Sequence, residues 1–204
     1  MKKFSRWLLK KAGWKYTVTF PEPPKSVFCV APHTSNWDFI LGKLFCWADG
    51  RKSGFLMKST WFFFPAGNIL RAMGGVPVDR SRRKSVTQQV VDMFNSHETF
   101  HIAVTPEGTR KRARKWKMGF YQIALQANVP IQLSYLDYAK KEIGIKKLFY
   151  PTGDEKADLQ EIYQYFAGVT ARFPEQFYLP LEERQEVRGK VYPDKSGSQD
   201  LQQD

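Results

Sequence analysis

Short apolar runs alternate along this chain with longer segments in which apolar residues recur every three or four positions. The run SVFCVA at 26–31 is of the first kind, and a short continuous apolar run predicts a buried strand. The longer spacing, as in ADLQEIYQYFAG at 157–168, predicts a helix with one apolar face. Because strands and helices alternate, we predict an α/β fold, a single domain with a mixed, mostly parallel sheet flanked by helices.

The same patterns set the predicted bounds of each element. Predicted strands lie at 26–31, 54–57, 75–78, 100–105, 130–138 and 142–150. Predicted helices lie at 2–12, 36–48, 82–94, 119–127 and 157–168, with a broken helical stretch at 61–73. Residues 194–204 have no apolar content to bury. We therefore divide the chain into a basic amphipathic N-terminal segment at 1–20, a folded domain at 21–193 and a disordered tail at 194–204.

The chain is strongly basic, with 32 Lys and Arg residues against 20 Asp and Glu and a formal charge of +12. This excess indicates an anionic partner, and it leaves open nucleic acid, a membrane surface or phosphorylated small molecules. Cys29 and Cys46 both lie inside apolar runs, so we expect buried free thiols and a reducing cytoplasm. No apolar run approaches the roughly 18 to 20 residues that a membrane span requires.

The N-terminal segment places Phe4, Trp7, Leu8 and Ala12 on one face of a predicted helix and lysines on the rest. It is too charged in its centre for a secretory signal peptide. A basic helix with a Trp and Leu face suits the surface of an anionic membrane, and this interpretation predicts a peripheral protein on the inner face of the cell membrane. A terminal helix that docks on the domain and leaves a solvated basic face has the same pattern.

Candidate chemistry begins in the stretch APHTSNWDF at 31–39. His33 follows a predicted strand and Asp38 falls in the first turn of the next helix, which is the end of the sheet where open α/β folds bind ligands. A general base with its orienting carboxylate is one interpretation. The alternative is an S-x-x-D capping box from Ser35 to Asp38, in which the carboxylate only accepts hydrogen bonds from backbone amides.

Two further strand ends carry polar clusters. In TPEGTR at 105–110, Gly108 permits a positive φ or a close backbone approach, and Glu107 and Arg110 are placed to face a ligand. The alternative for this turn is a surface loop with an exposed ion pair. In GGVPVDR at 74–80, the strand delivers an aspartate and Arg80.

Together these segments resemble the glycerolipid acyltransferase family, the enzymes that acylate glycerol 3-phosphate and 1-acylglycerol 3-phosphate. PHTSNWD is similar to the family's first motif, N-H-x-x-x-x-D, and GGVPVDR to its second, G-x-x-F-I-D-R. TPEGTR is similar to the third, F-P-E-G-T-R, and VPIQLS at 129–134 to the fourth, V-P-I-V-P-V. The ordered set is far more specific than any one motif. It covers roughly residues 26–137 and implies that 21–193 is an acyltransferase domain with a glycerol-3-phosphate acyltransferase-like fold.

The resemblance also implies a reaction. A fatty acyl group would pass from an acyl thioester, either acyl-CoA or acyl carrier protein, to the hydroxyl of a lysophosphatidic-acid-like glycerolipid in phospholipid biosynthesis. His33 would be the general base and Asp38 its partner, with no acyl-enzyme, cofactor or metal. The residues implied to bind substrate are Lys58, Arg80, Glu107, Gly108, Thr109 and Arg110.

The chain departs from the family pattern at several positions. Pro32 stands where the family usually has Asn, Val78 replaces Ile, and Gln132 with Leu133 alters the fourth motif. These departures bear more on substrate selection than on chemistry. The alternatives are the same reaction on glycerol 3-phosphate or a lyso-aminolipid, a catalytically silent lipid-binding protein, and a nucleic-acid-binding protein.

Two other segments suggest different functions. HETFH at 97–101 spells the zinc-protease pattern H-E-x-x-H, which requires a helix so that both histidines share one face. Because His101 begins a predicted strand, we expect no metal there. The run RKRARKWK at 110–117 has the composition of a nucleic-acid-binding segment. Next to Arg110, we interpret it as a basic loop for anionic lipid or the acyl carrier, and we expect no nucleic-acid partner.

Overall fold

The structure is a computed structural model that describes residues 1–81 and 83–181. Its strands form one seven-stranded sheet in the order β1-β7-β6-β2-β5-β3-β4. All neighbouring strands are parallel except β6 and β7. The bounds are β1 Lys15–Val18, β2 Lys25–Ala31, β3 Gly54–Lys58, β4 Gly75–Val78, β5 Phe100–Val104, β6 Ile131–Asp137 and β7 Glu142–Phe149.

Strands β2 to β6 all run in one direction, so their carboxyl ends meet at one edge of the sheet, here called the carboxyl edge. The opposite side, where these strands begin, is the amino edge. Helices connect the strands and cover both faces. Their bounds are α1 Lys2–Lys11, α2 Asn36–Asp49, α3 Ala66–Ala72, α4 Val86–Ser96, α5 Gly119–Ala127 and α6 Glu155–Phe166.

Alternating side chains of β2 separate two apolar cores. Val27 and Cys29 face the layer of α4, α5 and α6, while Phe28 faces α1 and α2. This alternation is the period of two that a strand imposes. Since both faces are covered, the strand has to be apolar along its whole length, which explains the continuous run that predicted it. The α/β fold with a mixed, mostly parallel sheet is confirmed.

Helix α1 docks through a face different from the predicted apolar one. Ser5 and Leu9 are buried, and Nε of Arg6 donates a hydrogen bond of 2.9 Å to the Ala48 carbonyl of α2. Phe4 and Trp7 remain exposed at 60% and 56%. The helix is therefore docked on the domain and still presents an aromatic face to its surroundings.

Some predicted bounds differ from the observed ones. Strand β1 lies within 1–20, where the hydrophobic pattern predicts no strand. Helix α4 begins at Val86 rather than at 82, because Ser85 caps it and accepts a hydrogen bond from the Gln88 amide. Cys29 and Cys46 are free and buried, as expected. The predicted tail at 194–204 lies outside the described residues. Within the described ranges, no helix is long and apolar enough to span a bilayer.

Candidate active site

The predicted site segments meet at the carboxyl edge of the sheet. His33 follows β2, Arg80 follows β4, and the turn with Glu107 and Arg110 follows β5. Lys58 is the last residue of β3. The parallel strands thus bring to one edge residues that are far apart in the sequence, as open α/β sheets do at their ligand sites.

The side chains of His33 and Asp38 form a pair. Nδ1 of His33 lies 3.3 Å from Oδ2 of Asp38. Asp38 is only 2% exposed, whereas His33 is partly exposed and lines a cavity. Because Nδ1 faces the carboxylate, Nε2 is the nitrogen left for a substrate, which is the arrangement that a general base requires.

Asp38 also caps the helix in which it lies. Ser35 is the N-cap residue of α2, and its capping box with Asp38 is complete. Oδ2 of Asp38 accepts hydrogen bonds of 2.8 Å from the backbone amides of Thr34 and Ser35. The capping interpretation is therefore correct, and it does not compete with the pairing. The capping bonds hold the carboxylate where it contacts His33.

Hydrogen bonds keep Asp38 ionised although it is buried. Burial raises the pKa of this carboxyl, but hydrogen bonds from His33, Tyr138 and the Ser35 backbone outweigh it and lower the pKa below its ordinary value. The Tyr138 bond is the short one, at 2.5 Å from the hydroxyl to Oδ1. An ionised Asp38 stabilises a positive charge on the imidazole.

Glu107 lies behind His33 rather than beside the arginines. Its Oε1 accepts a hydrogen bond of 2.9 Å from the His33 backbone amide, and the residue is 3% exposed. Oε2 has no hydrogen-bond partner among the residues that the structure describes. Burial raises the pKa of Glu107 to about 7, against the opposing effect of the backbone hydrogen bonds. Glu107 therefore supports the backbone that carries His33.

The turn after β5 brings Arg110 to the start of α2. Gly108 has a φ of +62°, and an added Cβ would lie 2.7 Å from the Lys117 side chain. The Lys117 amide donates a hydrogen bond of 2.7 Å to the Pro106 carbonyl, which closes the loop back on itself. Nη1 of Arg110 donates to Oδ1 of Asn36. The positive φ favours a glycine at this position, whereas the flexible Lys117 side chain could move aside for a Cβ.

A cavity of about 1090 Å³ extends from the paired His33 and Asp38 to the side chains of Arg80 and Arg110. Its polar wall includes His33, Arg80, Thr109 and Arg110, together with the Gly108 backbone. Its apolar wall lies between α2 and the sheet. That wall is lined by Phe28, Val30, Phe39, Phe55, Leu56 and Leu136.

The backbone amides nearest the base already have partners inside the protein. The His33 amide donates to Glu107, and those of Thr34 and Ser35 donate to Asp38. The Gly108 amide donates to the Thr105 carbonyl at 3.1 Å. Each of these four amides therefore has a hydrogen-bond partner among the residues that the structure describes.

Two residues of this region lie outside the predicted set, and one residue of that set lies outside the cavity lining. Lys58 is exposed and is not among the cavity-lining residues. Lys43, on α2, does line the cavity, and burial lowers its pKa. Tyr138 contacts Asp38 and belongs to none of the four motifs. Its one signal in the sequence is its position at the end of a predicted strand.

A second polar cluster lies at the amino edge. The Ser26 hydroxyl lies 2.8 Å from Nδ1 of His101 and accepts a hydrogen bond of 2.6 Å from Nε2 of Gln132. Nη1 of Arg51 donates to Oε1 of Gln132 at 2.9 Å. Nε2 of His101 lies 3.8 Å from a carboxylate oxygen of Glu22. The departure of Gln132 from the fourth motif is thus part of a buried hydrogen-bond network.

The two remaining segments take the positions that their context predicts. His97 ends α4 as its C-cap residue, and His101 lies in β5. The described part of the chain contains no cluster of three or more His, Cys, Asp or Glu side chains arranged to hold a metal. In the basic run at 110–117, Trp116 is buried in the core and donates a hydrogen bond to the Tyr178 carbonyl. The run therefore presents basic groups without an exposed tryptophan.

A family model described as Acyltransferase matches residues 15–133, more than half of the chain. The chain therefore belongs to the acyltransferase family, which confirms the family that the four motifs resemble. The crystal structure of the 1-acyl-sn-glycerophosphate (LPA) acyltransferase PlsC from Thermotoga maritima is similar to this chain, with a TM-score of 0.54 and 18% sequence identity. The similarity covers 80% of this chain and 74% of that one, and it shows a shared fold. No curated protein matches the chain significantly.

Proposed function

We propose that this protein is an O-acyltransferase that moves a fatty acyl group from an acyl thioester to the hydroxyl of a lysophosphatidic-acid-like glycerolipid. The observation that carries the proposal is the paired His33 and Asp38 in the wall of a cavity that also contains Arg80 and Arg110. A base, a pair of arginines and an apolar wall in one space correspond to the hydroxyl, the phosphate and the acyl chain of the reactants.

In the proposed step, Nε2 of His33 takes the proton of the acceptor hydroxyl as its oxygen attacks the thioester carbonyl carbon. The new C–O bond forms, the tetrahedral intermediate collapses, and the C–S bond breaks. The leaving thiolate receives the proton from the imidazolium. Asp38 stays ionised throughout and stabilises the imidazolium, as the carboxylate does in a Ser-His-Asp triad, but the nucleophile here is the substrate itself.

The acceptor's phosphate is assigned to the arginines. A guanidinium offers two parallel N–H donors to phosphate oxygens, whereas a lysine offers a point charge. Arg80 and Arg110 line the cavity from two different strand ends, so a phosphate between them is held from two sides. Thr109 adds a hydroxyl to the same wall, and Lys58 is an exposed cation at the end of β3.

The donor is assigned to the apolar wall. Phe28, Phe55 and Leu136 give the acyl chain a surface on which burial contributes about 0.8 kcal/mol per CH₂ group. The thioester carries either coenzyme A or acyl carrier protein, and both carriers are anionic. The basic run at 110–117 lies beside the cavity and attracts either one.

A panel of acceptors tests this proposal. Lysophosphatidic acid, glycerol 3-phosphate and a lyso-aminolipid are each incubated with isotope-labelled acyl-CoA and with acyl carrier protein, and the products are identified by mass spectrometry. We expect labelled phosphatidic acid from lysophosphatidic acid, and none from the His33→Ala variant. If only another acceptor of the panel were acylated, the proposed reaction would stand and the proposed acceptor would be replaced by that one. Lipid binding without any turnover would identify a silent relative.

We further propose that the enzyme works on the surface of an anionic membrane, as a peripheral protein on the inner face of the cell membrane. The chain after β3 exposes Trp61, Phe63 and Phe64 at 58%, 60% and 85%, and the start of α2 exposes Trp37 at 53%. These four residues, here called the aromatic rim, follow strand ends at the carboxyl edge. Exposed aromatic groups next to basic ones suit the lipid headgroup region.

Two pairs of substitutions test whether the aromatic rim, helix α1 or both contact the membrane. Deletion of the N-terminal segment is unsuitable, because Leu9 is part of the core. We expect Phe63→Ser with Phe64→Ser, and Phe4→Ser with Trp7→Ser, each to lower co-sedimentation with anionic vesicles partially and in a salt-dependent manner. If both pairs sediment like the wild type at low salt, neither surface contacts the membrane. A salt-dependent gel shift with generic DNA or RNA would favour a nucleic-acid-binding protein instead.

A further inference from the structure

The catalytic pair has a third side chain attached to it, from outside the four motifs. Tyr138 follows β6 at the carboxyl edge, and its hydroxyl donates a hydrogen bond of 2.5 Å to Oδ1 of Asp38. His33 lies on the other carboxylate oxygen, Oδ2, at 3.3 Å. Each oxygen of Asp38 therefore has its own side-chain partner.

We propose that Tyr138 is a positioning residue for acyl transfer. Its hydroxyl fixes the rotation of the Asp38 carboxylate and draws part of the negative charge away from the oxygen that faces His33. The inference rests on the proposed function, because it gives Tyr138 a part in that reaction.

The rotation of Asp38 needs such a restraint. The torsion that turns an aspartate carboxylate about its last bond has a broad, roughly two-fold preference, so the rotamer alone does not fix it. The amides of Thr34 and Ser35 hold only Oδ2. The bond from Tyr138 to Oδ1 adds a second point of attachment, and two attached oxygens define the plane of the carboxylate. Groups that orient a ligand or base from behind have this effect in other sites.

Tyr138 is itself held firmly. Its backbone amide donates to the Thr170 carbonyl at 2.8 Å, and the Trp14 ring packs edge-on against its ring at a centroid distance of 5.0 Å. Burial, followed by the hydrogen bond to Asp38 and the charge of Asp38, raises the pKa of Tyr138, so its hydroxyl remains a donor. The other charged group that faces it is Arg172. Glu107 faces the far side of His33.

Strand β6 provides a matched control three residues before Tyr138. The Tyr135 hydroxyl donates a hydrogen bond of 2.7 Å to Oε1 of Glu142, so it too is a phenol bonded to a carboxylate. That pair does not include a residue of the catalytic site. Tyr138→Phe and Tyr135→Phe therefore remove the same kind of bond in two places, one at the site and one away from it.

Steady-state kinetics and their pH dependence test the proposal. We expect Tyr138→Phe to lower kcat about tenfold, the effect of losing one hydrogen bond to a charged group, with KM for donor and acceptor unchanged. More negative charge then faces the imidazole, so the acidic limb of the pH profile should move to higher pH. Tyr135→Phe should change neither kcat nor the position of the acidic limb. A fall in kcat with an unmoved acidic limb would reduce Tyr138 to a structural role, and a raised KM for the acceptor would make it a binding residue.

A second measurement does not depend on turnover. The chain has three histidines, so the imidazole C2–H signals can be assigned by single substitutions and titrated by NMR. In Tyr138→Phe, the His33 signal should titrate with a higher midpoint than in the wild type, while His97 and His101 should not change. An unmoved His33 midpoint in an active enzyme would overturn this inference alone. A shifted midpoint in a protein without acyl transfer would show that Tyr138 acts on His33 through Asp38, and it would overturn the proposed function and with it the part of Tyr138 in acyl transfer.

Discussion

His33 and His101 lie at opposite edges of one sheet, and each has a carboxylate nearby. At the carboxyl edge, His33 is 3.3 Å from Asp38 and lines an open cavity. At the amino edge, His101 is 3.8 Å from Glu22 and 2.8 Å from the Ser26 hydroxyl. By residue types alone, the second set has the composition of a Ser-His-acid nucleophile.

The hydrogen bonds around each ring decide which one is available for chemistry. In the amino-edge cluster, the Ser26 hydroxyl is occupied by both Gln132 and the His101 ring. Burial, and then the charge of Arg51, lower the pKa of His101 to about 4, which makes it a weak base. His33 faces Asp38 through Nδ1 and lines an open cavity, and no described residue is hydrogen-bonded to its Nε2. Two sets of similar residue types thus differ in access and in unused hydrogen-bonding capacity, and this difference is why we assign the proposed chemistry to His33.

The largest expected effect separates the two histidines by activity. His33→Ala should lower acyl transfer by about a hundredfold to ten-thousandfold, because the group that removes the proton is lost. Its circular dichroism and thermal unfolding should stay close to those of the wild type. His101→Ala should do the reverse, with lower thermal stability and a kcat per folded molecule near that of the wild type. Near-normal turnover in folded His33→Ala would remove the basis of the mechanism.

A smaller but still large effect is expected at Asp38, where the helix cap and the proposed catalytic role coincide. Asp38→Asn should cripple turnover, because the amide cannot balance an imidazolium. It should also cost about 1 kcal/mol of unfolding free energy through the weakened cap. Ser35→Ala is the control, since it loses its part of the cap without losing the carboxylate. If the two variants lost stability and activity in the same ratio, Asp38 would act as a cap only.

Substitution of an arginine that lines the cavity should have a smaller effect, which we expect in the binding of the acceptor. Arg110→Ala should raise KM for a phosphate-bearing acceptor about tenfold, with little change for the acyl donor, and Arg110→Lys should recover only part of the loss. Arg71 lies over the Phe62 ring and serves as a control of equal charge outside the cavity lining and outside the basic run. Equal effects of Arg110→Ala on both substrates would place this residue outside the acceptor site.

The smallest effects concern stability against pH, and they have opposite signs at the two edges. Glu107 has its pKa raised to about 7 from 4.5, so the folded state binds the extra proton and its stability falls as pH rises between these values. His101 has its pKa lowered to about 4 from 6.5, so the unfolded state binds the extra proton and stability falls as pH drops. Glu107→Gln should stabilise the protein at pH 8 by roughly 2 kcal/mol.

Denaturant unfolding at several pH values measures both effects. The side-chain amide oxygen introduced by Glu107→Gln can still accept from the His33 backbone amide, so turnover of this variant should stay within about threefold of the wild type. In His101→Gln, the free energy of unfolding should fall less steeply with decreasing pH than in the wild type. This effect should be smaller than that of Glu107→Gln, because the histidine is only partly buried. If the free energy of unfolding above pH 7 were the same in Glu107→Gln as in the wild type, ionisation of Glu107 in the folded protein would not lower its stability.

The sequence predicts most of this fold because its signals are local. A continuous apolar run marks β2, which is covered on both faces. Strand β1 is missed because it is short, KYTV, and its partner β7 is more than a hundred residues away. A pairing of this kind leaves no periodic trace in a segment of four residues.

The site is predicted where ordered motifs mark it and missed where contacts come from elsewhere. His33 and Asp38 share one turn, so their proximity follows from the chain itself. Tyr138 reaches Asp38 from the turn that follows β6, 100 positions further along the sequence. Glu107 belongs to a motif, but its direction is set by the burial of its side chain, and no spacing rule reveals that it supports the His33 backbone.

Gln132 shows how a departure from a family motif becomes locked into a fold. An apolar residue at this position would remove one hydrogen-bond partner from the Ser26 hydroxyl and one from the Arg51 guanidinium, in a buried space. A change at any one of these positions therefore lowers stability unless its partners change with it. We expect the amino edge to tolerate substitutions as a set and not one at a time.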